Sequence, residues 1–237
     1  IMPGYFGYEA GQSCVGDHFA WFVENCVPES YEQEARVRGI SIHQLLSEKL
    51  STYKAGASGL LALDWFNGVR TPLMDFNLNG LIMGMNLLTK PEEIYLSLIE
   101  ATAYGTRMII EGFEEAGLEV KDITLSGGIP IKNEMLVQVY SDVCNRKIKV
   151  VDSTQSSALG AAILGAAAAP ERITGFKNAN EAAKKLGKVK DKVWEPNQDN
   201  VEIYNELYKE YKILHTYFGT GINDVMKHLN NIRERRK

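Results

Sequence analysis

The residues best suited to chemistry lie in LSGGIPIKN, at 125–133. Gly127 and Gly128 end the strand-like run ITLSGG, and a helix pattern follows within a few residues. Paired glycines at such a junction let a ligand approach the main chain with no Cβ in the way. The helix start adds unpaired N–H groups and the positive end of a dipole, which suit a phosphate or the polar edge of a nucleotide. Asn133 falls in the first turn, where its amide can hydrogen-bond a base or ribose. The alternative is a plain left-handed turn closing a strand. GxxxxGK[ST] is absent, so this is not a P-loop.

A second segment, GYEAGQSCVGDHFAW at 7–21, has Gly11 and Gly16 flanking a short connector before a helix. Gly16 is placed to let backbone amides meet a phosphate, and Asp17 reads as an N-cap. Glu9, the one acid at the end of the preceding run, can bind a sugar hydroxyl or serve as a plain surface acid. Asp64 and Asp75 flank the turn NGVRTP, and turn chemistry accounts for both. His18, His43, His215 and His228 are scattered without ligand spacing. Cys14, Cys26 and Cys144 are odd in number and form no CxxC pair, which favours reduced packing thiols over a zinc site. No catalytic residue and no metal ligand is assigned.

The elements that must hold these residues follow from apolar spacing. Residues 3–10 read as a strand and 16–27 as a helix with Phe19, Phe22, Val23 and Cys26 on one face. Residues 41–53 read as a helix capped by Ser41, and 60–66 as a strand covered on both faces. The helix over 91–117 starts with Pro91 at its first position, turns Ile94, Leu98, Ala101, Gly105, Met108 and Ile109 to one side, and stops at Gly117. KDITLSGG is a strand, 131–145 a helix, KIKVVDS a strand, and 155–169 a helix whose small residues at 157–167 predict close packing on a sheet. Helices over 177–188, 198–217 and 221–236 complete the chain, the last with a basic end that complements the helix dipole.

This order predicts an α/β fold, a mixed sheet with helices packed on it, and a helical C-terminal extension. The 237 residues, 45% hydrophobic and 24% charged, suit one or two globular domains without staples. A formal charge of −4 disfavours general nucleic-acid binding. No apolar run of about 18 residues predicts a membrane span. IMPGYFGYEA lacks the features of a signal peptide, and an opening on Ile1 reads as a piece of a longer protein.

Several segments together resemble one family, the FGGY carbohydrate kinases. GLIMGMNLLTKPEEIYLSLIEA resembles its second signature, with Gly80, Gly84, Met85, Glu93, Ile94, Ser97 and Glu100 in the pattern positions. ITLSGGIPIKNEMLVQVYSDVCNRKI resembles its adenosine segment, and SALGAAILGA the helix after it. PGYFGYEAGQSCVGD, AWF and LLALDWFNGVRTPLMD are most similar to the L-ribulokinase branch. At Asp75-Phe-Asn-Leu-Asn-Gly80 the family often has Asp-Pro-x-Ala-Arg-Gly, so Asn79 receives no role.

The resemblance implies a ribonuclease-H-like lobe of the actin and sugar-kinase type. Residues 1–170 would be the C-terminal, ATP-binding lobe, and 171–237 a helical extension packed on it. Gly127, Gly128 and Asn133 would meet the adenosine, with Lys132 an open alternative to Asn133. Gly16 would lie near the phosphates, and Glu9 would touch the sugar at the lobe interface. The implied activity is ATP-dependent phosphorylation of L-ribulose at its 5-hydroxyl in L-arabinose catabolism, with Mg²⁺ carried by the nucleotide. The general base, an aspartate, would lie in a preceding lobe that also holds most of the pentulose, so this chain alone would be inactive. The cytoplasm is the implied location, and a homodimer one candidate assembly. The alternatives are the same lobe of a xylulokinase or other pentulose kinase, and a noncatalytic actin-like nucleotide-binding module.

Overall fold

The computed structural model describes residues 4–236. Residues 5–15 form an irregular connector rather than the expected strand. Tyr5, Phe6 and Tyr8 are exposed there, and no described strand lies beside them to complete a ladder. The connector is instead pinned to the 70–71 segment. Thr71 donates its N–H to Gly11 O at 3.0 Å, and Gly11 donates its own to Thr71 Oγ1 at 3.2 Å.

Helix α1 (Gly16–Cys26) buries His18, Phe19 and Phe22. Asp17 is not its cap. The N-cap position is Val15, which offers no side-chain acceptor, and Asp17 sits inside the first turn, where it favours the dipole. Helix α2 (Glu29–Arg38) had no counterpart among the expected elements. It buries only Ala35, so apolar periodicity is nearly silent. Its markers are acids in the first turn, arginines in the last and a left-handed Gly39 at the end. Helix α3 (Ile42–Lys49) carries the expected cap, as Ser41 Oγ accepts from Gln44 N at 3.1 Å.

Strand β1 (Leu61–Leu63) pairs antiparallel with β2 (Leu81–Met83), Ala62 opposite Ile82. Helix α4 (Pro91–Glu115) follows, with Pro91 in its first turn. The expected single apolar face is too simple. From Tyr95 to Tyr104 every residue is buried, Ser97, Glu100 and Thr102 included. A helix covered all round lies inside the molecule. Here α1, α3 and β1 pack against it, as does α6, described next.

Strand β3 (Ile123–Leu125) runs parallel to β4 (Ile148–Val150), Thr124 opposite Lys149. Between them lie α5 (Gly128–Lys132) and α6 (Glu134–Cys144), broken at Asn133. The mixed α/β character is thus carried by two short strand pairs, one antiparallel and one parallel. Helix α7 (Ser156–Ala168) buries only Ile163 and packs mainly on α9 (Ala179–Leu186), past the short α8 (Glu171–Thr174). Its small residues are not pressed against a sheet, for a Cβ on Gly160 or Gly165 would meet nothing within 4 Å.

Helix α10 (Gln198–Gly219) lies across α6 and β1 and buries Val201, Tyr204, Tyr208, Tyr211 and His215. Three of its phenols donate to carboxylates elsewhere in the fold: Tyr204 to Glu100 at 3.1 Å, Tyr208 to Glu111 at 2.8 Å and Tyr211 to Asp64 at 3.2 Å. Helix α11 (Val225–Glu234) closes the chain through buried Met226 and a Lys227–Asp75 ion pair of 2.9 Å.

Candidate nucleotide site

Gly16, Gly128 and Asn133 come together in one cleft of about 610 Å³. That is within the range of about 300–1,000 Å³ usual for small-molecule sites. One wall is the start of α1 with Phe19, and another is the α5–α6 junction with Ile129, Lys132 and Asn133. The third wall, Ser41, His43, Gln44 and Ser47 of α3, meets Tyr95 of α4. This wall was absent from the sequence expectations. Ser41 was legible there only as a cap, and nothing local to α3 reveals that it faces residues 80 to 90 positions away.

The two glycines of the 127–128 pair serve different ends. Gly127 has φ +101° and ψ −177°, a conformation close to glycine-only. Gly128 has no positive φ, and a Cβ placed on it would meet nothing within 4 Å. The chain geometry requires glycine at 127. At 128 the fold does not, and the absent side chain leaves open space in the cleft. Gly127 borders a smaller hollow of about 210 Å³ with Val15, Leu136 and Tyr140, and Gly128 lies on the boundary of both.

Asn133 is committed to structure, because its Oδ1 accepts from Leu136 N at 3.1 Å and caps α6. Lys132 beside it is exposed and lines the cleft. Among the described residues it is the one cation of the lining, which includes no carboxylate. His43 Nδ1 lies 3.0 Å from Tyr95 OH. Burial lowers the His43 pKa, which keeps the ring neutral, and raises Tyr95 to about 12, which keeps the phenol protonated. Neutral donors and acceptors, two apolar side chains and a single ammonium suit a flat heteroaromatic group bearing an anion.

Glu9 lies outside this cleft. Its side chain is 78% exposed and pairs with Arg70 at 2.7 Å. Asp75 makes the expected turn, its Oδ1 accepting from Asn77 N at 2.9 Å. Asp64 does not. It is buried, and burial pushes its carboxyl up to about 6. Among the described residues no group of three or more His, Cys, Asp or Glu is placed to hold a metal ion, and no helix is long and apolar enough to cross a membrane.

Residues 1–169 match the C-terminal domain of the FGGY family of carbohydrate kinases. The chain belongs to that family. As an FGGY chain it is 53% identical over 233 residues to a ribulokinase of Bacillus licheniformis, covering 98% of this chain and 42% of that protein. It is 52% identical over 234 residues to a ribulokinase of Anoxybacillus flavithermus, covering 99% of this chain and again 42% of the relative. The FGGY chain therefore spans well under half the length of these relatives. Its fold is similar to xylulose kinase from Rhodospirillum rubrum, with TM-score 0.67 and 22% identity over 86% of this chain and 38% of that one. It is also similar to Plasmodium falciparum glycerol kinase with ADP, with TM-score 0.65 and 20% identity over 87% of this chain and 38% of that one.

Proposed function

We propose that this chain is the nucleotide-binding part of an ATP-dependent pentulose kinase that phosphorylates L-ribulose on its 5-hydroxyl. The observation that carries the reading is the convergence of Gly16, Gly128 and Lys132 on one cleft that, among the described residues, is lined by no carboxylate. Identity of about one half to ribulokinases along nearly the whole chain supports the choice of sugar. MgATP enters as substrate, its metal carried by the phosphates, and the setting is the cytoplasm.

In this reading the adenosine lies between α3 and the α5–α6 junction. Gly128 gives it backbone access, and the Lys132 ammonium or the Asn133 amide fixes its polar edge. The start of α1, which lacks a side-chain cap, turns its N–H groups toward the phosphates at Gly16. Glu9, held by Arg70, faces the sugar. Phosphoryl transfer needs alignment of the γ-phosphoryl with the hydroxyl, stabilisation of the developing charge and a base for the proton. The residues here contribute to the first two. The base is assigned to the portion of the longer relatives that this chain does not span.

Calorimetry of the 237-residue chain with ADP and Mg²⁺ tests the reading. Weak binding is expected, since one lobe of a two-lobed kinase excludes little water. No heat at millimolar nucleotide overturns it. Joining the chain to the preceding part of a ribulokinase relative tests the activity, and L-ribulose phosphorylation is expected. Nucleotide binding without turnover of any pentulose would favour a noncatalytic module.

A further inference from the structure

The buried Asp64 lies between two parts of the molecule that are distant in sequence. Gln12 Nε2 donates to Asp64 Oδ2 at 2.8 Å and to Thr102 O at 2.9 Å. Gln12 Oε1 accepts from Thr106 Oγ1 at 2.9 Å. The two acceptors, Asp64 Oδ2 and Thr102 O, place the amide nitrogen on their side; the Thr106 hydroxyl has one hydrogen to share between Gln12 Oε1 and Thr102 O, the latter at 3.0 Å. A Cβ on Gly105 would overlap this amide, so α4 has a gap where Gln12 enters. The other Asp64 oxygen, Oδ1, accepts from Tyr211 OH of α10 at 3.2 Å.

Gln12 sits in the connector between Glu9 and Gly16, which otherwise has no ladder to hold it. Besides the two Gly11–Thr71 contacts and the buried Cys14 near its end, the connector is tied to the interior by the hydrogen bonds of this side chain. Tyr211 lies outside the 1–169 segment that matches the family domain. We propose that Asp64 is a positioning residue that sets the 9–16 connector through Gln12, and that Tyr211 of α10 holds Asp64 in place, so that the C-terminal helix shapes the edge of the nucleotide site. The proposal rests on the nucleotide reading only for its consequence on ADP affinity, not for the anchoring.

Buried hydrogen bonds to a carboxylate are costly to break singly. Tyr211→Phe preserves the packing and removes one donor. Hydrogen exchange on the 237-residue chain is expected to show the Gly11 amide, which donates to Thr71 Oγ1, losing protection about fivefold, with α6 amides unmoved. Asp64→Asn can still accept from Gln12 with its Oδ1 and donate to Tyr211 with its amide, so it keeps most of the protection. Asp64→Leu fills the same space without polar atoms and loses it. A packing role predicts the reverse, rescue by leucine rather than asparagine, and that result overturns the proposal. Unchanged protection at Gly11 in folded Tyr211→Phe overturns it too. ADP affinity is expected to fall about fivefold in Tyr211→Phe, and unchanged affinity overturns the link to the nucleotide edge. Should the wild type take no ADP, the nucleotide reading fails while the exchange measurement still decides the anchoring.

Discussion

The Cβ that Gly16 lacks would lie 3.0 Å from Ile129 Cδ1. The start of α1 and the start of α5 therefore approach each other in the lining of the cleft, and a methyl on Gly16 would press on the end of the Ile129 side chain. Gly16 occupies a first helical position with no positive φ, so the backbone itself does not demand glycine. Gly16→Ala should gain up to about 1 kcal/mol of helix propensity and lose a comparable amount to the displaced Ile129. Stability near wild type with weakened ADP binding is expected. Denaturant unfolding beside calorimetry checks both, and full-strength binding would place the phosphates elsewhere.

Gly128→Val should keep the fold and remove ADP binding, because the new side chain enters open cleft rather than packed protein. Gly127→Ala should do the opposite first. Forcing a Cβ into φ +101° costs about 1–3 kcal/mol. A thermal melt of each variant beside its ADP titration separates the two glycines. Equal melting temperatures would contradict a division of labour between Gly127 and Gly128.

Lys132 and Asn133 are neighbours with different duties. Asn133→Ala removes the α6 cap and should cost about 1 kcal/mol of stability. Lys132→Ala touches no described ion pair or hydrogen bond and should leave stability within about 0.5 kcal/mol. Its ADP affinity should fall several-fold, more at low salt than at high salt. A Lys132→Ala chain with unaltered affinity would return the polar contact to Asn133.

Burial pushes the Glu100 carboxyl up to about 8, above its unfolded value near 4.5. The folded state then binds more protons than the unfolded state between these values, so stability falls as pH rises through that window. His18 and His215, lowered by burial to about 4, act in the opposite sense but only below about pH 6.5. Between pH 6.5 and 8.5 the wild type should lose about 2 kcal/mol relative to Glu100→Gln, at about 1.4 kcal/mol per unit. Urea unfolding of both proteins across that range checks the slope. Parallel curves would mean that Glu100 is ionised throughout.

The local pattern of residues determined much of this protein in advance. The paired glycines marked the turn between a strand and a helix, where Gly127 takes φ +101°. Pro91, Ser41 and Gly117 marked helix ends, because capping and φ restrictions act within a turn. α2 is nearly silent in apolar spacing because Ala35 is its one buried residue, and its ends are marked by charges and by Gly39 instead. The sense of Asp64 was also misread. Next to a turn it resembles a turn residue, and only the arrival of Tyr211 from 147 positions away makes it a buried anchor. The α3 wall of the cleft is likewise a product of packing on α4. Hydrogen bonds and steric limits between near neighbours are written in order along the chain. Burial and long-range approach depend on how whole elements stack, and no short window of residues contains that information.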